Sequence, residues 1–131
     1  LNSKKVDIDI EKIKMLKNLL LDLKEFSLKN EKWAILVEGK RDKFALEKFS
    51  IQNVVELKGR NYHDIAEELS AIYEGVVLLM DFDPEGETIF EKLSKLLAGY
   101  GLRIDTSFRE RLRGTGVKFV EKIPQSLFFS N

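Results

Sequence analysis

Apolar residues recur along this chain in two rhythms. Over residues 10–29, Ile13, Leu16, Leu20 and Leu23 return at spacings of 3, 4 and 3, the stripe of an α-helix. Asp9 is placed to cap its start and Asn30 to end it. The stripe is shorter than the ~3–4 heptads of a coiled coil, so core packing is the expected use and pairing with another chain the alternative. Trp33–Val37 is then a continuous apolar run, which fits a strand buried on both faces. Residues 42–49 read as a helix with Phe44, Ala45 and Phe49 inward, and Val54–Leu57 as a second strand. Asn61 and Asp64 resemble a capping box opening a helix over 62–73, with Ile65, Leu69 and Ile72 on one face. Val76–Met80 is a third buried strand. A helix over about 85–98 follows, carrying Ile89, Phe90, Leu93, Leu96 and Leu97, and Gly99 and Gly101 break it. Leu102–Ile104 reads as a fourth strand, 107–113 as a short basic helix and Val117–Val120 as a last strand. A tail begins near Pro124.

Strand and helix alternate at least three times, which predicts an α/β fold. The expected architecture has three layers, α/β/α, around a mostly parallel central sheet of about four strands, with an added N-terminal helix. Residues 1–131 are expected to form a single domain: a helical extension over 1–31, a core over 32–122 and a C-terminal tail over 123–131. Right-handed crossovers bring the carboxyl ends of the strands to one edge of the sheet, and ligands in such folds sit there, where strand order reverses.

Composition narrows the chemistry. The 131 residues include no cysteine and one histidine, His63. Disulfides, thiolate metal sites, a cysteine nucleophile and a multi-histidine zinc site are thereby excluded. No apolar run reaches the ~18 residues of a membrane span. The charged opening, Leu1–Lys5, does not resemble a secretory signal, so a cytoplasmic protein is expected. Lys and Arg number 22, as do Asp and Glu, giving a net charge of zero. That argues against gripping nucleic acid by bulk charge. The distribution is uneven: Asp81–Glu91 holds five acids and no base, whereas Arg103–Lys122 holds six bases against three acids. Such a pattern suits a cation site handling a phosphate substrate; a solvated surface is the plainer explanation.

Two predicted strands end in acid, the first at Glu38 and the third at Asp81, within Asp81-Phe82-Asp83. If those strands are neighbours, Glu38, Asp81 and Asp83 converge. Carboxylates that close repel, and a hard divalent cation removes the cost. Magnesium takes oxygen ligands, one or two carboxylates and waters, so Asp81 and Asp83 are the candidate ligands, with manganese an allowed substitute. Glu38 is then the free carboxylate, placed as general acid or base in a phosphodiester reaction. Asp42 and Glu87 are candidates for further ligation or catalysis. For Asp42 and Glu85 the alternative is ordinary placement at a helix N-terminus, and for Asp81 and Asp83 it is turn chemistry. Gly39 and Gly86 are expected to give the backbone room to turn. Lys40, Arg41 and Lys43, then Lys58 and Arg60, then Arg109, Arg111 and Arg113 are the candidate phosphate or nucleic-acid contacts. Lys58–Asn61 is equally explained as a strand-to-helix turn. His63 reads as a surface or capping residue. Phe128 and Phe129 are expected to cover the domain or to meet a partner.

Glu38-Gly39 after one strand and Asp81-Phe82-Asp83-Pro84-Glu85-Gly86 after a later one resemble the signature of the Toprim domain. Topoisomerases, bacterial-type primases, recombination mediators and certain nucleases share that domain. The resemblance covers about residues 32–122. It implies a Toprim, Rossmann-like sheet, Glu38 as the acid/base residue and Asp81 and Asp83 as magnesium ligands. Glu38-Gly-Lys-Arg-Asp42 and Asp81-x-Asp-Pro-x-Gly-Glu87 are most similar to small stand-alone members and to ribosomal-RNA maturation nucleases, which draws Asp42 and Glu87 toward the site. The chain departs from other branches: no tyrosine lies on a separate domain, and no cysteines build a zinc module. The function expected is magnesium-dependent action on nucleic-acid phosphodiesters, RNA or DNA, as a nuclease. The alternative is a non-catalytic nucleic-acid-binding module in a processing complex with protein partners. A third reading is turnover of free nucleotides.

Overall fold

A computed structural model describes residues 2–128, with side chains described over 10–127. The long N-terminal helix α1 runs from Asn2 to Lys29. It passes through Asp9, which is therefore a helical residue and not its cap. Leu16, Leu20 and Leu23 of the predicted stripe are buried. Asn30 does end the helix: its amide and its Nδ2 both donate to the Phe26 carbonyl, each at 2.9 Å.

The chain then alternates as the periodicities predict. The elements are β1 (Trp33–Val37), α2 (Lys40–Glu47), β2 (Val54–Glu56), α3 (Tyr62–Ile72), β3 (Gly75–Leu78), α4 (Pro84–Gly99), β4 (Arg103–Asp105) and α5 (Ser107–Gly114). The four strands form one parallel sheet in the order β2-β1-β3-β4. Trp33 pairs with Gly75 and Leu36 with Leu78. Glycine is required at 75, because a Cβ there would stand 2.4 Å from the Trp33 ring.

Helices cover both faces. Ile35, Val37, Val77 and Leu79 pack toward α1, α2 and α5. Ala34, Leu36, Val76, Leu78 and Met80 pack toward α3 and α4. Alternate residues of β1 and β3 thus bury on opposite sides, which is why both strands are continuously apolar. This is the three-layer α/β/α arrangement expected, with α1 lying against one face.

Three expectations need correction. Phe44 and Ile72 point outward, at 50% and 55% exposed, because each sits past the edge of its helix's apolar stripe. Val117–Val120 is not a strand. Its backbone meets the turn after β3 instead of a strand: the Lys118 carbonyl accepts from Phe82 N, and Val120 N donates to Asp81. Residues 120–122 form a 3₁₀ turn, and Ile123–Phe128, read as tail, form helix α6. Pro124 lies in its first turn, where the missing N–H costs nothing, and Ile123 is buried. The side chains of Phe128 and Phe129 lie outside the described residues.

Candidate functional site

From β1 the chain crosses through α2 to β2 on one side, whereas β3 lies on the other side of β1 and leads on to β4. Strand order therefore reverses between β1 and β3, the position at which α/β sheets open a crevice. Glu38 leaves β1 and Asp81 follows β3 at that position.

The backbone ladder continues one step beyond β3, with Leu79 N donating to the Leu36 carbonyl at 2.9 Å. The next donor on that side, Asp81 N, meets a side chain: Glu38 Oε2 accepts from it at 2.7 Å. Asp81 Oδ1 accepts from Val120 N at 2.8 Å. Asp83 caps α4, its Oδ1 accepting from Gly86 N at 2.8 Å, with Pro84 opening the helix. Gly86 is fixed by the close approach of this turn, since a Cβ would stand 2.2 Å from the Asp81 carbonyl oxygen. Gly39 is different. Its φ of −145° is ordinary extended backbone, and a Cβ would meet only Asp42 Oδ2 at 3.9 Å. The expected need for glycine there is not met by the geometry.

The acids feel one another. Burial pushes the Asp81 carboxyl up from 3.8 to about 7, with the charges of Asp42, Glu38 and Asp83 adding to the rise. Burial also raises Glu38, reinforced by Asp83, Asp42 and Glu85 and opposed by the Asp81 amide. Asp42, 7% exposed, is raised by burial and by Glu121. Its Oδ2 accepts from Gly39 N at 3.0 Å, so it caps α2 while adding negative field to the same edge. The donor set is all hard oxygen. Each of Glu38, Asp81 and Asp83 holds a backbone amide with one oxygen, and the other oxygen has no hydrogen-bond partner among the described residues. Among those residues no three His, Cys, Asp or Glu side chains stand together at ligand spacing. An ion held by one or two carboxylates and waters suits this donor set.

Glu87 is not free for a metal. Arg109 Nη2 bonds to its Oε1, and Arg113 Nη2 reaches its Oε2 at 3.2 Å, which holds the carboxyl below its usual range. Arg109 itself is 2% exposed, so it does not present a guanidinium to nucleic acid as expected. Its Nε donates to the Met80 carbonyl at 2.9 Å and its Nη2 to the Asp81 carbonyl at 2.7 Å. Its Cζ lies over the rings of Phe82 and Phe90, 4.4 and 4.2 Å from their centroids. The signal was available: Phe108, Arg109 and Leu112 share the buried face of α5. Phe82 and Phe90 are the residues whose part at this edge the apolar pattern does not reveal. Arg111 bonds to Asp22 of α1 at 2.8 Å, and Arg113 also pairs with Glu110.

The remaining bases divide. Lys40 and Arg41 are exposed at the start of α2, directly after Glu38; Arg41 comes only within 4.0 Å of Glu121. Lys58 is exposed with a φ of +52°, its amide donating to the Glu38 carbonyl at 2.8 Å. Lys43 and Arg60 line a separate cavity of ≈ 320 Å³ beside β2, where Arg60 pairs with Glu68 at 2.6 Å. His63 meets the Tyr100 hydroxyl at 3.0 Å, joining α3 to the end of α4. No helix among the described residues is long and apolar enough to cross a membrane.

Comparison with known proteins places this geometry in a family. A model of the Toprim domain matches residues 32–106. A UPF0292 protein of Thermococcus sibiricus is 35% identical over 114 residues, 86% of this chain and 86% of that one. A UPF0292 protein of Methanosarcina acetivorans is 31% identical over 82% of this chain and 75% of its own length. Among solved structures, a protein from Aquifex aeolicus matches with a TM-score of 0.74 and 40% identity, covering 81% of this chain and 95% of that one. The Aquifex aeolicus primase, crystallised as its zinc-binding and RNA polymerase domains, matches with a TM-score of 0.52 and 26% identity, over 83% of this chain and 28% of that one. With its parallel sheet, its Glu-Gly and its Asp-x-Asp at adjoining strand ends, this chain belongs to the Toprim domain family.

Proposed function

We propose that this protein cleaves nucleic-acid phosphodiesters with the help of magnesium. The observation that carries the reading is the bond from Asp81 N to Glu38 Oε2 at 2.7 Å, which ties the two acidic strand ends together where strand order reverses. Asp81 and Asp83 are the residues that would hold the ion; burial, and after it the charges of Asp42, Glu38 and Asp83, lift Asp81 to about 7, a cost that a cation there would offset. Bound there, magnesium supplies charge stabilisation at a phosphoryl oxygen.

The chain's own groups do the rest. Hydrolysis needs a proton taken from the attacking water and one given to the leaving oxygen. Glu38 has one oxygen fixed by the Asp81 amide and the other available, and burial raises its carboxyl toward the range useful for proton transfer. Lys40, Arg41 and Lys58, exposed beside Glu38, are placed to contact backbone phosphates. The primase likeness supports nucleic acid as the substrate class.

The test is a panel of single-stranded, duplex and structured RNA and DNA, each with EDTA, magnesium or manganese. Metal-dependent cleavage lost in Glu38→Gln is the expected result. Metal-independent binding without turnover, unchanged in Glu38→Gln, would instead identify a non-catalytic binding module. Turnover of free nucleotides alone would shift the substrate class.

A further inference from the structure

Arg109 is a guanidinium almost wholly removed from water, an arrangement that costs several kcal/mol unless its donors are matched. Its partners are specific. On the β1 side of the β3 exit, Glu38 takes over the ladder by accepting from Asp81 N. On the other side, β3–β4 pairing ends at Val77 and Asp105. Beyond that end of pairing, Arg109 donates to the carbonyls of Met80 and Asp81. Both backbone groups of Asp81 are thus held by side chains from different elements. The same guanidinium bonds Glu87 in the first turn of α4, the helix that Asp83 caps. One side chain therefore ties the Asp81 backbone to the first turn of the helix that Asp83 caps, and its Cζ lies over the ring of Phe82 between the two aspartates.

We propose that Arg109 is a positioning residue that sets the relative placement of Asp81 and Asp83 for metal binding. The inference rests on the reading of those aspartates as the magnesium ligands. Lysine is a poor replacement: its ammonium is a point charge without the fork of donors that reaches two carbonyls and a carboxylate at once.

The test measures amide hydrogen exchange and Mn²⁺ affinity in the wild type, Arg109→Lys and Leu69→Ala. Leu69 lies on the buried face of α3, and its truncation destabilises the fold away from the turn. In Arg109→Lys, exchange at Asp81, Phe82 and Gly86 should quicken ~10-fold relative to Val76–Leu78, as for a local opening. Its Mn²⁺ affinity should fall ~10-fold or more, as when a ligand's supporting partner is lost. Leu69→Ala should lower the melting temperature and leave Mn²⁺ affinity within about twofold of wild type. Turn amides that exchange as in the wild type, or undiminished Mn²⁺ affinity in Arg109→Lys, would overturn the proposal. A wild type that binds no Mn²⁺ would remove the metal reading and the proposal's link to metal, while the exchange data still decide whether Arg109 holds the turn. If Arg109→Lys does not fold, Glu87→Gln cuts the tether to α4 alone; unchanged Gly86 exchange together with unchanged Mn²⁺ affinity in that variant would count as refutation.

Discussion

Replacing Asp81 by Asn removes one charge from a crowded edge and keeps an oxygen to accept the Val120 amide. The wild-type carboxyl is pushed from 3.8 to about 7, by burial first and then by Asp42, Glu38 and Asp83. A group whose folded pKa exceeds its unfolded value binds its proton more tightly in the folded chain. Its stabilising contribution is complete below 3.8 and is lost as pH rises through about 7. At ~1.36 kcal/mol per pH unit the full span is ~4 kcal/mol. The carboxyl is only half-buried, so solvent screening leaves roughly 2 kcal/mol. Asparagine carries no charge at any pH. Asp81→Asn should therefore match the wild type near pH 4 and exceed it by roughly 2 kcal/mol at pH 8.5, a Tm difference of ~5–10 °C. Urea denaturation in EDTA across that range reads the difference directly. Excess magnesium should reverse the order, because an ion at 100 times its Kd adds ~2.7 kcal/mol to the protein that binds it. A variant no more stable than wild type at pH 8.5 in EDTA would refute the claim that burial and its acidic neighbours hold this carboxyl above its usual range.

Glu38→Gln keeps an oxygen for the Asp81 amide, so its melting temperature should stay at or above wild type while cleavage rates fall ~10²–10⁴-fold; single-turnover kinetics on the best substrate measures this. Gly86→Ala forces a methyl within 2.2 Å of the Asp81 carbonyl and should cost ~1–3 kcal/mol in urea denaturation, with weaker Mn²⁺ binding. Lys40→Ala with Arg41→Ala should flatten the slope of log affinity against log salt by ~1–2 if both contact phosphate. Arg111→Ala, which loses an exposed pair with Asp22, should cost under ~1 kcal/mol and leave that slope unchanged.

Much of this architecture was legible because its signals are local. The continuous apolar runs of β1 and β3 demanded cover on both faces, and the 3.6-residue stripes of α3 and α4 supplied part of it. Once the strands are parallel, their acidic ends can only fall on one edge. The C-terminal segment was not legible for the opposite reason. Val117–Val120 has a strand's composition, yet its backbone bonds to the turn after β3, a partner about 40 residues away that no local pattern announces. Asp9 illustrates a smaller failure: a good capping residue does not end a helix whose hydrogen bonds continue past it. Gly39 looked like a turn glycine by analogy with Gly86, but only Gly86 is pressed against backbone.

The basic helix α5 shows why charge counts mislead about partners. The acidic stretch 81–91 and the basic stretch 103–122 read as a metal site beside a nucleic-acid grip, but at Glu87 they meet each other. Arg109 and Arg113 both close on Glu87, and Arg109 also takes the carbonyls at the end of β3. This pairing occupies the Glu87 carboxylate and buries Arg109, while Arg113 stays partly exposed. At the sheet edge Glu38, Asp42, Asp81 and Asp83 have no cationic side-chain partner among the described residues, and each is held by a backbone amide. Burial raises Asp81 and Glu38, the neighbouring carboxylates add to the rise, and the backbone amides of Val120 and Asp81 oppose it only in part. A proton or a cation relieves that edge: below about 7 Asp81 takes up the proton, above it a cation would act in its place, and Lys40, Arg41 and Lys58 are the exposed bases beside it.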